Sequence, residues 1–491
     1  MGTPIIVAIV VLLVSPSAAP DSGLRGYLTQ RPQWQACDPE TPQLQCATLR
    51  APRDWHDPGA GIDITLAVSR LAATDPGARR GALLLDGGGP ASNLDLPEDF
   101  ADRPIAAGYD LIGYDPRGIG RSSRIACLDP AEIAEYTRVD MRDRDPANLA
   151  RIQANSAATA RACAERSGEL LRYVTTDQIV RDWDLIRAVL GEAKLSVLAF
   201  SAGTWFGAHY ATLFPHRVGR MVLDSNTEFT ATMQRVVDNQ PPAFEHRFAS
   251  EFLPWIARHH AVYGYGTTAR QAREIWEARR ARLPAPISET FTLLPADLDN
   301  ITLGVLYHKN DFPFLAQALS ILERLDRATP DELAFVEGLF SQPIASPGTL
   351  AMYLAITCND TPWTRSPHFW VNHSAAMGRR YPLMGYQTLF QPCAYWPYRA
   401  PAPKPVNGLG SPVILMVNSV GDPATPYAGA LAAHRGFRPS RLVTVLDEGD
   451  HVIYGRNDNP CVDRTVHEYL LGGVVPAGDV TCPGQPPPDP S

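Results

Sequence analysis

Short, mostly apolar runs, closed by small or polar turn residues, recur along the first half of the chain. Gly81 to Asp86 (GALLLD), Tyr109 to Asp115 (YDLIGYD), Leu195 to Phe200 (LSVLAF) and Arg220 to Asp224 (RMVLD) read as buried strands. Ile62 to Leu71 alternates well enough for a strand near a sheet edge. Between these runs the period changes. Thr176 to Leu190 places Ile179, Trp183, Ile186 and Leu190 on one face and stops at Gly191, the pattern of an amphipathic helix, and residues 131–172 are also helix-rich. Short buried strands alternating with helices predict a mainly parallel, doubly wound α/β sheet covered on both faces.

The alternation breaks at about residue 228. From there to about residue 400 the chain carries helical stretches (Ala269 to Ala281, Asp331 to Leu339) and many aromatics, without short buried strands. That predicts an inserted, mostly helical cap over 228–400, between a first core part at 20–227 and a second at 401–482. A proline-rich return, Ala400 to Val406, leads to Pro412–Asn418 and Arg441–Leu446, the last two expected strands. Residues 20–60 read as proline-rich and irregular, and residues 483–491 as a disordered tail.

Composition narrows the picture in three ways. At 491 residues the chain exceeds the size at which one hydrophobic core stops growing. The net charge of −8, with acids and bases interspersed, gives no basic face for nucleic acid. The apolar run Ile5 to Val14 is shorter than the ~20 residues of a membrane span. Followed by Ser17 and Ala19, it reads as a signal peptide over residues 1–19, although its start carries no Lys or Arg. The expected product is secreted or associated with the cell envelope, with no stable membrane insertion after cleavage.

Eight cysteines agree with export. Spacing alone does not fix their connectivity. They fall into four local couples, none with the C-x-x-C spacing of zinc or redox sites, so Cys37–Cys46, Cys127–Cys163, Cys358–Cys393 and Cys461–Cys482 are expected as disulfides and no metal is expected.

The candidate chemistry centres on Ser201, at the apex of a strand–turn–helix passage flanked by Ala199 and Gly203. Taken alone, a serine there is more often a helix cap. As a nucleophile it needs a base, and the base needs a carboxylate to orient it. Asp422 follows one of the two late strands and His451 the other, in the order Ser, acid, His. Asp450, beside the histidine, is expected to point elsewhere. An attacked carbonyl also needs two N–H donors for its oxyanion. Ala202, just after the serine, and Gly89, with Gly88, in the Gly87-Gly-Gly-Pro90 turn are placed to supply them. The glycine run lacks the lysine of a phosphate loop and the dinucleotide fingerprint, so no organic cofactor is implied.

The stretches LLLDGGGPAS (83–92), YDLIGYDPRGIGRSS (109–123), SVLAFSAGTWFGAHYATLFPHRVGRMVLDS (196–225), AITCND (355–360), GDPATP (421–426) and 449–473 together resemble the secreted tripeptidyl aminopeptidases, α/β-hydrolases related to prolyl aminopeptidases. The resemblance implies an α/β-hydrolase fold and an exported serine aminopeptidase that releases tripeptide-like N-terminal fragments through an acyl-enzyme. It also implies Ser201 as nucleophile, Asp422 as acid and His451 as base. Family members usually carry glycine where Ala199 stands and Asn-Pro-Gly-Gly-Pro-Gly where Asp86-Gly-Gly-Gly-Pro-Ala91 stands. The substrate is therefore expected to be a peptide, or alternatively a small ester or amide. Glu228 and Asp360 are candidate anchors for a substrate α-ammonium group.

Overall fold

The computed structural model describes residues 21–343 and 345–490, so the expected signal peptide lies outside the described residues. Ten strands form one sheet, and two more form a short ribbon. In chain order they are β1 (Gln35–Ala36), β2 (Leu44–Pro52), β3 (Asp63–Leu71), β4 (Ala82–Asp86), β5 (Asp110–Tyr114), β6 (Leu195–Phe200), β7 (Val218–Asp224), the ribbon strands β8 (Ala285–Pro286) and β9 (Thr292–Leu293), then β10 (Ile414–Ser419), β11 (Ser440–Leu446) and β12 (Val480–Pro483). The sheet runs in the order β1-β2-β3-β5-β4-β6-β7-β10-β11-β12. It is antiparallel from β1 to β5 and parallel from β5 to β12.

The crossing of β4 and β5 in that order sets β4 beside β6, with Asp86 paired to Ala199 and Ala199 to Leu223. All residues of β4, β6 and β10 are buried, which is why their sequences are continuous apolar runs. The C-terminal ends of β4, β6, β7, β10 and β11 thus open on one edge, where ligands bind in sheets of this kind.

The region read as irregular, 20–60, holds a helix, Asp21–Leu28, and the nine-residue strand β2. Leu44, Ala47, Leu49 and Ala51 face inward, and β2 pairs with β3 along its whole length. This strand takes its stability from a partner lying beyond an intervening loop, a context no local window contains.

The segment between β7 and β10 is helical apart from the ribbon, and it divides between two cores. Residues 244–340, with Leu383 and Ala424, build a hydrophobic cluster of their own around Trp255 and Trp276. The helix Pro347–Asp360 instead buries Ala351, Met352, Ala355 and Cys358 in the same cluster as the sheet's β4 and β6. The four disulfides are Cys37–Cys46, Cys127–Cys163, Cys358–Cys393 and Cys461–Cys482. The C-terminal tail is ordered by contacts: Pro483 O accepts from Asn459 Nδ2, Gln485 O from Lys309 Nζ and Pro488 O from Trp255 Nε1. Composition hid this, because proline carbonyls remain acceptors even where the ring removes the donor.

Candidate active site

Ser201 joins β6 to the helix Ala202–Leu213 with φ 52 and ψ −123, a region non-glycine residues adopt only when the surroundings hold them there. The turn is held by Ser201 N–H, which donates to Asp224 O at the end of β7 (2.9 Å). Gly203 packs on the β4 end so closely that a Cβ there would lie 2.5 Å from Asp86 Oδ1. Ala199, by contrast, sits within β6 between two strands, where a methyl group is accommodated and fully buried.

His451 and Asp422 form a buried pair. The imidazole Nδ1 lies 2.9 Å from Asp422 Oδ2 and 3.1 Å from Oδ1. With Nδ1–H donating to the carboxylate, Nε2 is left as an acceptor. Asp422 also accepts Ala424 N–H (2.9 Å), Thr425 N–H (2.8 Å) and the Thr425 hydroxyl (2.8 Å). Burial pushes its carboxyl up, but His451 and the Thr425 bonds outweigh burial and leave it below its ordinary value. Asp450 turns away and accepts from Arg247 Nη2 and Lys309 N–H.

The helical segment reaches this pair through Tyr307. Its carbonyl accepts His451 N–H at 2.9 Å, and its ring stands edge-on to the imidazole, centroids 5.3 Å apart and planes at 89°. Tyr307 is far from His451 in sequence, and its chemical type carries no signal for this contact. Ser201 Oγ makes no hydrogen bond among the described residues.

The donors of the glycine turn separate into two kinds. Gly88 N–H donates to Asp86 Oδ1 (2.8 Å), which takes it out of the expected oxyanion set. Asp86 is buried and also accepts the Tyr114 hydroxyl (2.5 Å), and burial raises its carboxyl to about 6. Gly88 instead serves as a contact surface. At φ 78, a Cβ on it would meet Phe200 O at 2.5 Å and Ser201 Cβ at 2.8 Å. The amides of Gly89 and of Ala202, the first residue of its helix, remain as the candidate pair.

Neither expected amine anchor offers a free carboxylate. Glu228 is held by Arg235 and Asn239. Asp360 accepts both the amide and the hydroxyl of Thr176. The site has a further member that its sequence context does not reveal. Asp224, buried at the end of β7, accepts Ile453 N–H (3.1 Å) and Tyr454 N–H (2.7 Å) on Oδ2, just past the histidine. Among the described residues no group of three or more His, Cys, Asp or Glu side chains is arranged to hold a metal ion.

With the geometry in place, three relatives are informative. Residues 81–261 match the family model described as alpha/beta hydrolase fold, and residues 381–482 the one described as TAP-like protein. The chain is 35% identical over 471 residues to the tripeptidyl aminopeptidase of Streptomyces lividans, covering 91% of this chain and 86% of that protein. It is 30% identical over 482 residues to carboxylesterase B of Mycobacterium tuberculosis, covering 91% and 89%. It is 26% identical over 490 residues to serine protease Hip1 of the same organism, covering 93% and 91%.

Proposed function

The chain belongs to the tripeptidyl-aminopeptidase-like family of α/β-hydrolases, and on that premise we propose that it is an exported serine aminopeptidase releasing short N-terminal peptides. One observation carries the reading: a strained Ser201 at a strand–helix turn shares the sheet edge with a buried His451–Asp422 pair. Ser201 Oγ attacks the scissile carbonyl while His451 Nε2 takes its proton. Asp422 holds the imidazole's tautomer and stabilises the imidazolium. The amides of Gly89 and Ala202 receive the oxyanion. Collapse expels the new N-terminus of the shortened chain, protonated by His451, and leaves the released peptide as an ester on Ser201. Water, deprotonated by His451, then frees it. Four disulfides support an oxidising compartment, in line with a cleaved leader over residues 1–19.

A second reading, hydrolysis of small esters or amides, draws on two observations. Glu228 and Asp360 are already paired, and one relative is named a carboxylesterase. Peptide anilides with free and acetylated N-termini, compared with simple aryl esters, separate the two. The aminopeptidase reading expects blocking to remove nearly all turnover; blocked anilides cleaved as fast as free ones would overturn it. Ser201→Ala should abolish turnover in either case with unchanged melting, and retained activity would overturn the nucleophile assignment.

A further inference from the structure

β7 ends at Asp224, between the serine-bearing β6 and β10, whose end leads to Asp422. The dipeptide Asp224–Ser225 holds both sides of the site. Asp224 O accepts Ser201 N–H at 2.9 Å. Ser225 Oγ accepts Val452 N–H at 2.7 Å, while Asp224 Oδ2 takes the next two amides, of Ile453 and Tyr454. Three consecutive amides after His451 are therefore fixed by two adjacent residues. Val452 sits at φ 65, a conformation a β-branched residue adopts only under constraint, and Ser225 itself sits at φ 61. The dipeptide cannot shift easily, since Ser225 N–H donates to Val417 O of β10 at 2.8 Å and both residues are fully buried.

We propose that Asp224 and Ser225 are positioning residues that set the reach between His451 and Ser201, by holding the amide of one and the turn after the other from a single strand end. This rests on Ser201 and His451 acting as nucleophile and base. Asp422 fixes how the imidazole is rotated, yet nothing in that pair fixes the distance from the histidine backbone to the serine. The Asp224–Ser225 clamp supplies that constraint, and a displacement of about 1 Å at such a point costs about a hundredfold in rate. Burial raises the Asp224 carboxyl to about 7, so at neutral pH much of it is held as an anion against the preference of its surroundings. A group serving only the fold would do better as a neutral amide.

The test uses the full mature chain and the rate at which a fluorophosphonate labels Ser201, mapped by peptide mass, beside kcat and KM. Asp224→Asn keeps the shape but loses charge-assisted acceptance, and Ser225→Gly keeps the left-handed turn while removing the hydroxyl. Each should slow labelling and kcat by about tenfold or more with KM within about threefold, as expected for a misplacement of part of an ångström. Asp224→Asn should melt at or above the wild type, whereas Ser225→Gly, which leaves Val452 N–H without its acceptor, should melt somewhat lower. Wild-type labelling rates in both variants would overturn the inference, and so would a rate loss in Asp224→Asn that comes only with a fall in its melting temperature. A wild-type protein not labelled at Ser201 would overturn the nucleophile reading and this inference with it.

Discussion

Asp86 shows how one atom type can tune the site. Its neutral form is favoured in the fold by roughly 3 kcal/mol, converted from a carboxyl raised to about 6. The folded protein keeps this proton up to about pH 6, whereas the unfolded chain releases it near pH 4. The folded state therefore binds more protons across that window, and the Asp86 contribution falls as pH rises through it. Asp86→Asn keeps an acceptor for Gly88 N–H and turns an amide donor toward the Tyr114 hydroxyl oxygen. It should raise the melting temperature at pH 8 and change it little at pH 4. Equal shifts at the two pH values would contradict the burial argument. The exchange leaves Ser201 and the His451–Asp422 pair untouched, so turnover should stay intact.

The strands that build the site were legible because they are buried on both faces, which turns them into short, mostly apolar runs closed by small or polar residues. Ser201, Asp422 and His451 were legible for the same reason, each standing just past such a run. What the sequence withheld were relations between elements. β2 depends on its pairing with β3, and Tyr307 meets His451 through a backbone carbonyl that any residue could supply. The engagement of Gly88 by Asp86 depends on a side-chain rotamer. The contact between the glycine turn and the serine turn carries its own consequence. Because a Cβ on Gly88 would press on Phe200 O and Ser201 Cβ, Gly88→Ala should move the Gly89 amide away from the position proposed for the oxyanion. A loss of about a hundredfold in kcat is expected, the size found when one oxyanion donor is removed. Steady-state kinetics at saturating substrate would read it, and an unchanged kcat would show that Gly89 does not donate.

At the scale of the whole molecule, one buried carboxylate joins three regions that the sequence separates. Glu448 lies three residues before His451, with its side chain fully buried. It accepts Lys309 Nζ from the helical segment (2.5 Å), Asn457 Nδ2 from the loop past the histidine (3.3 Å) and Gln485 N–H from the C-terminal tail (3.1 Å). Lys309 Nζ in turn donates to Gln485 O, so the tail lies across the seam between the histidine loop and the helical segment. Removing one member of a buried ion pair leaves the other charged and unmatched, which costs about 3–5 kcal/mol. Lys309→Met should destabilise the protein by about that amount, whereas Lys309→Met combined with Glu448→Gln should recover much of the loss, since no buried charge is then left alone. Denaturant unfolding of the two single variants and the double variant measures the coupling. If the losses simply add, the pair does not hold the helical segment to the histidine loop. The same cycle read in kcat shows whether that hold reaches His451. The loop from Glu448 to His451 is short, and its middle residues are themselves bound, Gly449 N–H and Asp450 N–H both donating to Glu448 Oε1. A shift of Glu448 therefore moves the backbone that carries the imidazole, and Lys309→Met should lower kcat along with stability.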